Sequence, residues 1–183
     1  VEPLDNGAKF LNVDLHIHSF GTDASADVKD PAMTPQAIVD SAVAQGLSVI
    51  AITDHNSNRN VAIALDHAQQ YAGQLLVLPG VEVTTANGHV LAYFPPEKAS
   101  DLATFLAKLD LEGQMGADNT HTKKSMADVI SQAELVGGIC IAAHVDREAN
   151  PRLVMHDLVG NRIDRVELCP AHTKVLEQLA FIN

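Results

Sequence analysis

The 183 residues of this chain are 46% hydrophobic and 19% charged, which is the composition of a globular protein with one domain and one core. Lys and Arg number 12 against 23 Asp and Glu, and the net charge of −11 argues against a broad surface for a nucleic-acid backbone, although a local basic pocket is compatible with it. No apolar run is long enough for a membrane span and no secretory signal is present, so we expect a cytoplasmic protein without membrane contact.

Apolar runs of strand length alternate along the chain with stretches of helical period. Strands are predicted at residues 10–17, 48–53, 75–83, 89–94, 138–144 and 163–169. Helices are predicted at residues 35–45, 60–72, 100–111, 125–136 and 151–159, and from residue 173 to the end. This alternation indicates a β/α protein with a parallel sheet or barrel.

Three local signals refine this pattern. Thr34 is suited to cap the first helix, with Pro35 at the first helical position and Gly46 after the last. The tight-turn sequence at residues 86–88 predicts a local hairpin between two strands. Residues 110–124 are polar and have no periodicity, which predicts a surface loop.

Residues that can bind metal ions occur where the predicted strands end. In β/α barrels the loops after the carboxyl ends of the strands form the active site, so side chains from distant segments meet at one mouth. The spacing therefore predicts a single site built from many segments. Its candidate residues are His16, His18, Asp54, His55, Glu82, His89 and His144.

His16 and His18 are two residues apart on a predicted strand, so both imidazoles point to the same face of the sheet. Two neighbouring neutral imidazoles suit Zn, Mn or Fe. The alternative is that one histidine belongs to the core and the other to a loop. This motif alone does not decide between the two interpretations.

Two carboxylates interrupt or end apolar runs. Glu82 lies within an otherwise apolar strand, where it either bridges two cations or faces water from an edge strand. Asp54 precedes His55 at the end of a buried run, and it either orients a metal ligand or caps the next turn.

Taken in order, these motifs resemble those of the PHP family, the polymerase and histidinol phosphatase domains. The matching segments are DLHIHS followed by Asp23, then AITDH, PGVEV, GHVLAYF and AAH, over about residues 13–169. The resemblance implies a distorted TIM-like (β/α)7 barrel with two or three divalent Zn, Mn or Fe ions in its mouth. It also implies a phosphoesterase that hydrolyses a phosphate mono- or diester with a metal-activated water. The expected substrate is a nucleotide, a nucleic-acid end or a small phosphorylated metabolite.

Carried over by position, the resemblance also implies a set of ligands. His16, His18 and Glu82 would hold one metal, with Glu82 bridging to a second, while Asp23 and His55 would hold another. The full implied set is His16, His18, Asp23, His55, Glu82, His89 and His144.

The family's last motif, an Asp-x-His, has no counterpart after Cys169. We therefore expect residues 1–183 to form a single PHP domain that lacks the last β/α unit, in a protein with a further C-terminal part.

Four polar residues are candidates for catalysis and substrate binding. Asp54 and Asp146 could assist proton transfer, and Arg147 and Arg59 could each hold a phosphate oxygen. For both arginines a solvated loop side chain is the alternative.

Two other functions are compatible with the sequence. One is an inactive PHP domain that serves as an interaction module of a larger protein. The other is an amidohydrolase acting on carbon–nitrogen bonds, since such barrels also begin with two histidines on the first strand, although no Lys occurs at a predicted strand end.

Overall fold

The structure, a computed structural model, describes residues 11–86 and 88–144 as a mixed α/β fold. The strands are β1 (Val13–Ile17), β2 (Val49–Ile52), β3 (Leu76–Thr85), β4 (Gly88–Tyr93) and β5 (Ile139–Ala142). The helices are α1 (Pro35–Ala44), α2 (Val61–Ala68), α3 (Ala99–Ala107) and α4 (Met126–Leu135), with short 3-10 helices at Gln69–Tyr71 and Pro96–Lys98. These elements confirm the predicted ones within a few residues. The strand and the two helices predicted after residue 150 lie outside the described residues.

The first helix shows how closely local signals determine an element. Thr34 caps α1 by accepting a hydrogen bond from the backbone N–H of Ala37, and Pro35 occupies the first helical position. Gly46 follows the helix with a φ of 71°. The predicted start of this helix is therefore confirmed.

The strands form one sheet in the order β1-β2-β3-β4-β5. The first three are parallel, whereas β4 is antiparallel to both of its neighbours. The predicted hairpin is confirmed, with Thr85 opposite Gly88. The parallel strands that the alternation predicted are confirmed for β1 to β3, whereas β4 is antiparallel because the short turn after β3 leaves no room for a crossover.

The sheet curls, so that its two ends approach each other. The hydroxyl group of Tyr93 on β4 donates a hydrogen bond of 2.8 Å to the carbonyl oxygen of Leu15 on β1, although two strands separate β1 from β4. The described part of the sheet is thus a curled half-barrel. The distorted (β/α)7 barrel, without its last β/α unit in this chain, stays a prediction.

Alternating side chains divide the core between the two faces of the sheet. On β2, Ile50 and Ile52 pack with residues of α1 and α2, whereas Ala51 packs on the opposite face with Leu91 and Tyr93. This alternation is the two-residue period of a strand. A separate cluster around Phe105 joins α3 and α4 to β3, β4 and β5.

A buried carboxylate at the end of β2 fixes the loop that follows β1. Asp54 is only 1% exposed, and its Oδ1 accepts hydrogen bonds from the backbone N–H of Ser19 at 2.6 Å and from the Ser25 hydroxyl at 3.0 Å. Its Oδ2 accepts from the Ser19 hydroxyl at 2.6 Å. Burial raises the pKa of Asp54, although the hydrogen bonds from Ser19 and Ser25 act in the opposite direction. Asp54 therefore holds His18 and His55, the neighbours of Ser19 and Asp54, in fixed backbone positions.

A glycine joins the same loop to the predicted surface loop at residues 110–124. The backbone N–H of Ala26 donates to the carbonyl oxygen of Gly116 at 2.8 Å. Gly116 has a φ of 77°, and a Cβ atom there would lie 1.7 Å from the carbonyl oxygen of Ala24. Only a residue without a side chain fits this contact.

The exchange Asp54→Ala should lower the free energy of unfolding by about 3 kcal/mol or more, because three buried donors lose their acceptor. The matched control is Asp40→Ala, since Asp40 also lies within hydrogen-bond distance of two side chains, those of His67 and Tyr71, but is exposed. Its removal should cost much less. Urea-induced unfolding measures both, and equal losses would contradict the role given to Asp54.

The exchange Gly116→Ala should destabilise the chain much more than Gly73→Ala. Both glycines have positive φ, 77° and 83°, but nothing lies within 4 Å of a Cβ atom at Gly73. Gly73→Ala should therefore cost about 1 kcal/mol of backbone strain, whereas Gly116→Ala must also push two loops apart. Thermal and urea unfolding of the two variants test this, and similar stabilities would count against the tight contact between the loops.

Candidate metal centre

One buried carboxylate lies at the centre of the site. Glu82 on β3 is fully buried. Its Oε2 lies 3.0 Å from Nε2 of His16 and 2.8 Å from Nε2 of His18, and its Oε1 lies 2.7 Å from Nδ1 of His89 and 2.9 Å from Nε2 of His144. The Nδ1 atom of a fifth imidazole, that of His55, is 3.3 Å from Oε2.

The direction of each strand explains why these residues meet. The carboxyl ends of the parallel strands β1, β2 and β3 lie at one edge of the sheet, and His16, His55 and Glu82 come from this edge. Because β4 runs the other way, its amino end lies at the same edge and brings His89, which pairs with Thr84. The mouth therefore collects residues that end strands and one residue that begins a strand.

The imidazoles hold Glu82 in its ionised form. Burial alone would raise the pKa of this carboxyl group, but hydrogen bonds from His144, His16, His18 and His89 outweigh burial and hold the pKa far below its ordinary value. The five imidazole side chains are each 16–19% exposed, so one side of the cluster is open to solvent.

His18 and His55 have pKa values shifted in opposite directions. Burial lowers the pKa of His18, but the hydrogen bond and charge of Glu82, together with Asp27, produce a net rise. For His55, burial is the largest effect and the net pKa is lowered, because the attraction of Glu82 is smaller and the nearby His18 is repulsive. The lowered pKa favours the neutral form of His55, which offers a lone pair.

The surroundings of Nδ1 of His55 indicate whether a cation would fit between His55 and Glu82. This nitrogen is buried and forms no hydrogen bond with any described residue, although it lies 3.3 Å from Oε2 of Glu82. Two ligands with bonds of about 2.1 Å to a tetrahedral cation lie about 3.4 Å apart. The spacing and the donor types thus fit a divalent cation that both residues would hold.

Two groups of possible ligands share Glu82. In each group one ligand atom per residue lies within 4.8 Å of the others, and the groups are His16, Glu82 and His144, and His18, Glu82 and His55. This grouping differs from the one that the resemblance implies, which places His16 and His18 on one metal. His89 contacts Glu82 but belongs to neither group.

Asp23 lies outside both groups. Its Oδ1 accepts a hydrogen bond from Gln114 at 3.1 Å, and its Oδ2 lies 3.5 Å from the guanidinium group of Arg59. Its φ of 57° turns the loop at this point. Asp23 therefore links three loops, and the ligand role that the resemblance implies for it stays a prediction.

The remaining candidates are placed as follows. Asp54 bonds to Ser19 and Ser25 rather than to an imidazole ring, so it acts on the ligands through the backbone. Arg59 is exposed beside Asp23. Asp146 and Arg147 lie outside the described residues.

Asp27 is a site residue that sequence reasoning missed. Its Oδ2 lies 3.1 Å from Nδ1 of His18 and 3.7 Å from Nε2 of His55. The only signal for it was that it is one of three aspartates, with Asp23 and Asp30, between β1 and α1. The pattern of the loop does not show which of the three turns inward.

Comparison with known proteins finds sequence similarity over part of the chain. No protein-family profile matches the chain. The chain is 33% identical over 72 residues to the 5'-3' exoribonuclease Rnm of Escherichia coli K12. These residues are 39% of this chain and only 22% of that protein.

Within the described residues, no helix is long and apolar enough to cross a membrane.

Solved structures share the fold at 20% sequence identity. A candidate metal-dependent phosphoesterase from Bifidobacterium adolescentis matches 93% of this chain and 83% of its own, with a TM-score of 0.63. Endonuclease Q from Pyrococcus furiosus matches 90% of this chain and 43% of its own, with a TM-score of 0.66, and endonuclease Q is also known in complex with a 27-mer duplex that has an abasic lesion at the active site. An amidohydrolase from Chromobacterium violaceum with bound sulfate matches 74% of this chain and 68% of its own, with a TM-score of 0.53. The chain thus has the fold of metal-dependent phosphoesterases and of endonuclease Q, in agreement with its resemblance to the PHP family.

Proposed function

We propose that this chain is a metal-dependent phosphoesterase in which Glu82 would help to hold two divalent cations. The observation that carries the proposal is the fully buried carboxylate of Glu82 with five imidazole nitrogens within 3.3 Å of its oxygens. Imidazole and carboxylate ligands suit Zn, Mn and Fe. The proposed ligands are His16 and His144 for one cation and His18 and His55 for the other, with His89 as a further ligand of the centre.

Different residues of the chain would have different roles in such a centre. Divalent cations supply the positive charge that lowers the pKa of water and offsets the charge of a phosphoryl transition state. Glu82 contributes a permanent negative charge because its neighbours keep it ionised. His55 contributes a neutral nitrogen, and Asp54 keeps the segments of His18 and His55 in place. The open side of the cluster admits the substrate.

The proposed substrate is a phosphate mono- or diester, with a nucleotide or a nucleic-acid end as the favoured class. The likeness to an exoribonuclease and to an endonuclease supports this class. The charge of −11 requires that contacts with such a substrate be local. Arg59, with a side chain that is 63% exposed, is the described candidate for binding a phosphate oxygen, and Arg147 is a second candidate.

The proposal includes a distorted (β/α)7 barrel of the PHP type that would lack its last β/α unit in residues 1–183, and the described sheet would be the first part of this barrel. The experiment below also distinguishes this function from two others, an interaction module and an amidohydrolase. An interaction module would bind metal without turnover, and an amidohydrolase, which the likeness to the Chromobacterium protein favours, would cleave amides.

Chelation should abolish hydrolysis of phosphate esters by the 183-residue chain, and Mn²⁺ should restore it. The substrates are bis-p-nitrophenyl phosphate, p-nitrophenyl phosphate and a 5'-phosphorylated oligonucleotide. Glu82→Gln should lower turnover by at least about 100-fold and reduce the bound metal measured by elemental analysis, because both cations lose a shared anionic ligand.

The control for this experiment is His67→Ala. His67 is a histidine on α2 that pairs with Asp40 away from the centre, so this variant should keep both metal and activity. Metal binding without turnover of any phosphate ester would favour the interaction module. Turnover of amide substrates alone would favour the amidohydrolase, and an active Glu82→Gln variant would overturn the proposed centre.

A further inference from the structure

We propose that Asp27 is a positioning residue of the metal centre, which sets the ring orientation and the tautomer of His18 and aligns His55 beside it. The inference rests on the proposed function, because it concerns how two of the proposed ligands present their nitrogens. Asp27 would act through these rings, since it belongs to neither group of possible ligands.

The ring of His18 lies between two carboxylates. Its Nε2 faces Oε2 of Glu82 at 2.8 Å, and its Nδ1 faces Oδ2 of Asp27 at 3.1 Å. A neutral imidazole has one N–H group and one lone pair. If a cation replaced the proton at Nε2 while Nδ1–H donates to Asp27, the lone pair at Nε2 would point toward Glu82, where the cation would be held. An outer acceptor of this kind fixes the tautomer of metal-binding histidines.

His55 repeats the same arrangement with its nitrogens exchanged. Its Nδ1 is the inner atom, 3.3 Å from Oε2 of Glu82, and its Nε2 is the outer atom, 3.7 Å from Oδ2 of Asp27. The two rings are in edge contact, with centroids 4.4 Å apart and planes at 67°. One oxygen atom of Asp27 thus faces the outer nitrogens of both rings, while one oxygen atom of Glu82 faces the inner ones.

The loop holds Asp27 in this position from both sides. The hydroxyl group of Ser25 donates to Asp54, and the backbone N–H of Ala26 donates to Gly116. The backbone N–H of Val28 donates to the carbonyl oxygen of Ser25. The carboxylate of Asp27 is 49% exposed, so it approaches the rings from the solvent side and not from the buried side where Glu82 lies.

The arrangement affects one cation of the two. Asp27 lies beside His18 and His55, which form one group of possible ligands with Glu82. The other group, His16 and His144 with Glu82, does not include a neighbour of Asp27. Loss of Asp27 should therefore weaken one binding event and leave the other unchanged. This asymmetry separates a local effect on two rings from general damage to the fold.

The test is calorimetric titration of the 183-residue chain with Zn²⁺ alone. The wild type should bind two ions, and Asp27→Ala should still bind two, one of them about 10- to 100-fold more weakly. Asp27→Asn keeps an acceptor oxygen and should recover most of the affinity. The matched control is Asp30→Ala, which changes an exposed aspartate of the same loop that bonds to the backbone of Ala32, and it should bind as the wild type does.

A second readout follows the tautomer directly. Long-range ¹H–¹⁵N spectra of the Zn²⁺-loaded chain should show His18 protonated at Nδ1 in the wild type, and this signature should be lost or broadened in Asp27→Ala. Unchanged affinities and an unchanged tautomer in Asp27→Ala would refute the inference. Complete loss of one ion, as expected for His18→Ala, would also overturn it, because Asp27 would then be a ligand. A wild type that binds no Zn²⁺ would instead refute the proposed function on which the inference rests.

Discussion

The structure depends on how the buried charge of Glu82 is compensated. An isolated carboxylate in a protein interior costs several kcal/mol, so it persists only with partners that offset the loss of water. Here imidazole nitrogens from β1, β4 and the segments after β1, β2 and β5 surround both oxygens of Glu82. The sheet must therefore bring five segments to one point, and the loops must hold them there.

The reversed direction of β4 brings His89 to the same edge of the sheet as Glu82. β3 is ten residues long, and its two halves have different partners: Leu76 to Pro79 pair with β2, and Gly80 to Thr85 pair with β4. The hairpin returns the chain to the mouth after a turn of only a few residues, which places His89 opposite Thr84, two residues after Glu82. A helical crossover would instead have carried the next strand's amino end to the far edge of the sheet.

The sequence predicted the parts of this arrangement that follow from periodicity. Alternating and helical apolar patterns located the described strands and helices, and a Glu within an apolar strand indicated a partner for its charge. The loop after β1 could not be predicted in this way, because it has no periodicity and contains three aspartates. Which of them faces the imidazoles depends on a positive φ at Asp23 and on the contact of Gly116 with Ala24, both of which are tertiary effects. The resemblance implies Asp23 as a ligand by its position along the chain, which stays a prediction, and the structure adds Asp27 beside the rings.

The interactions that hold the mouth in shape are separate from those that would bind cations. Asp54, Ser19 and Ser25 fix the backbone beside His18 and His55 without using either ring, and Gly116 fixes the loop from the other side. Protons and cations compete for the same imidazole nitrogens, so the rings must change partners when a cation binds. A backbone that does not depend on the rings lets this exchange occur without rearrangement of the loops. Folding therefore positions most of the backbone of the centre, and cation binding has only to replace protons and align a few side chains.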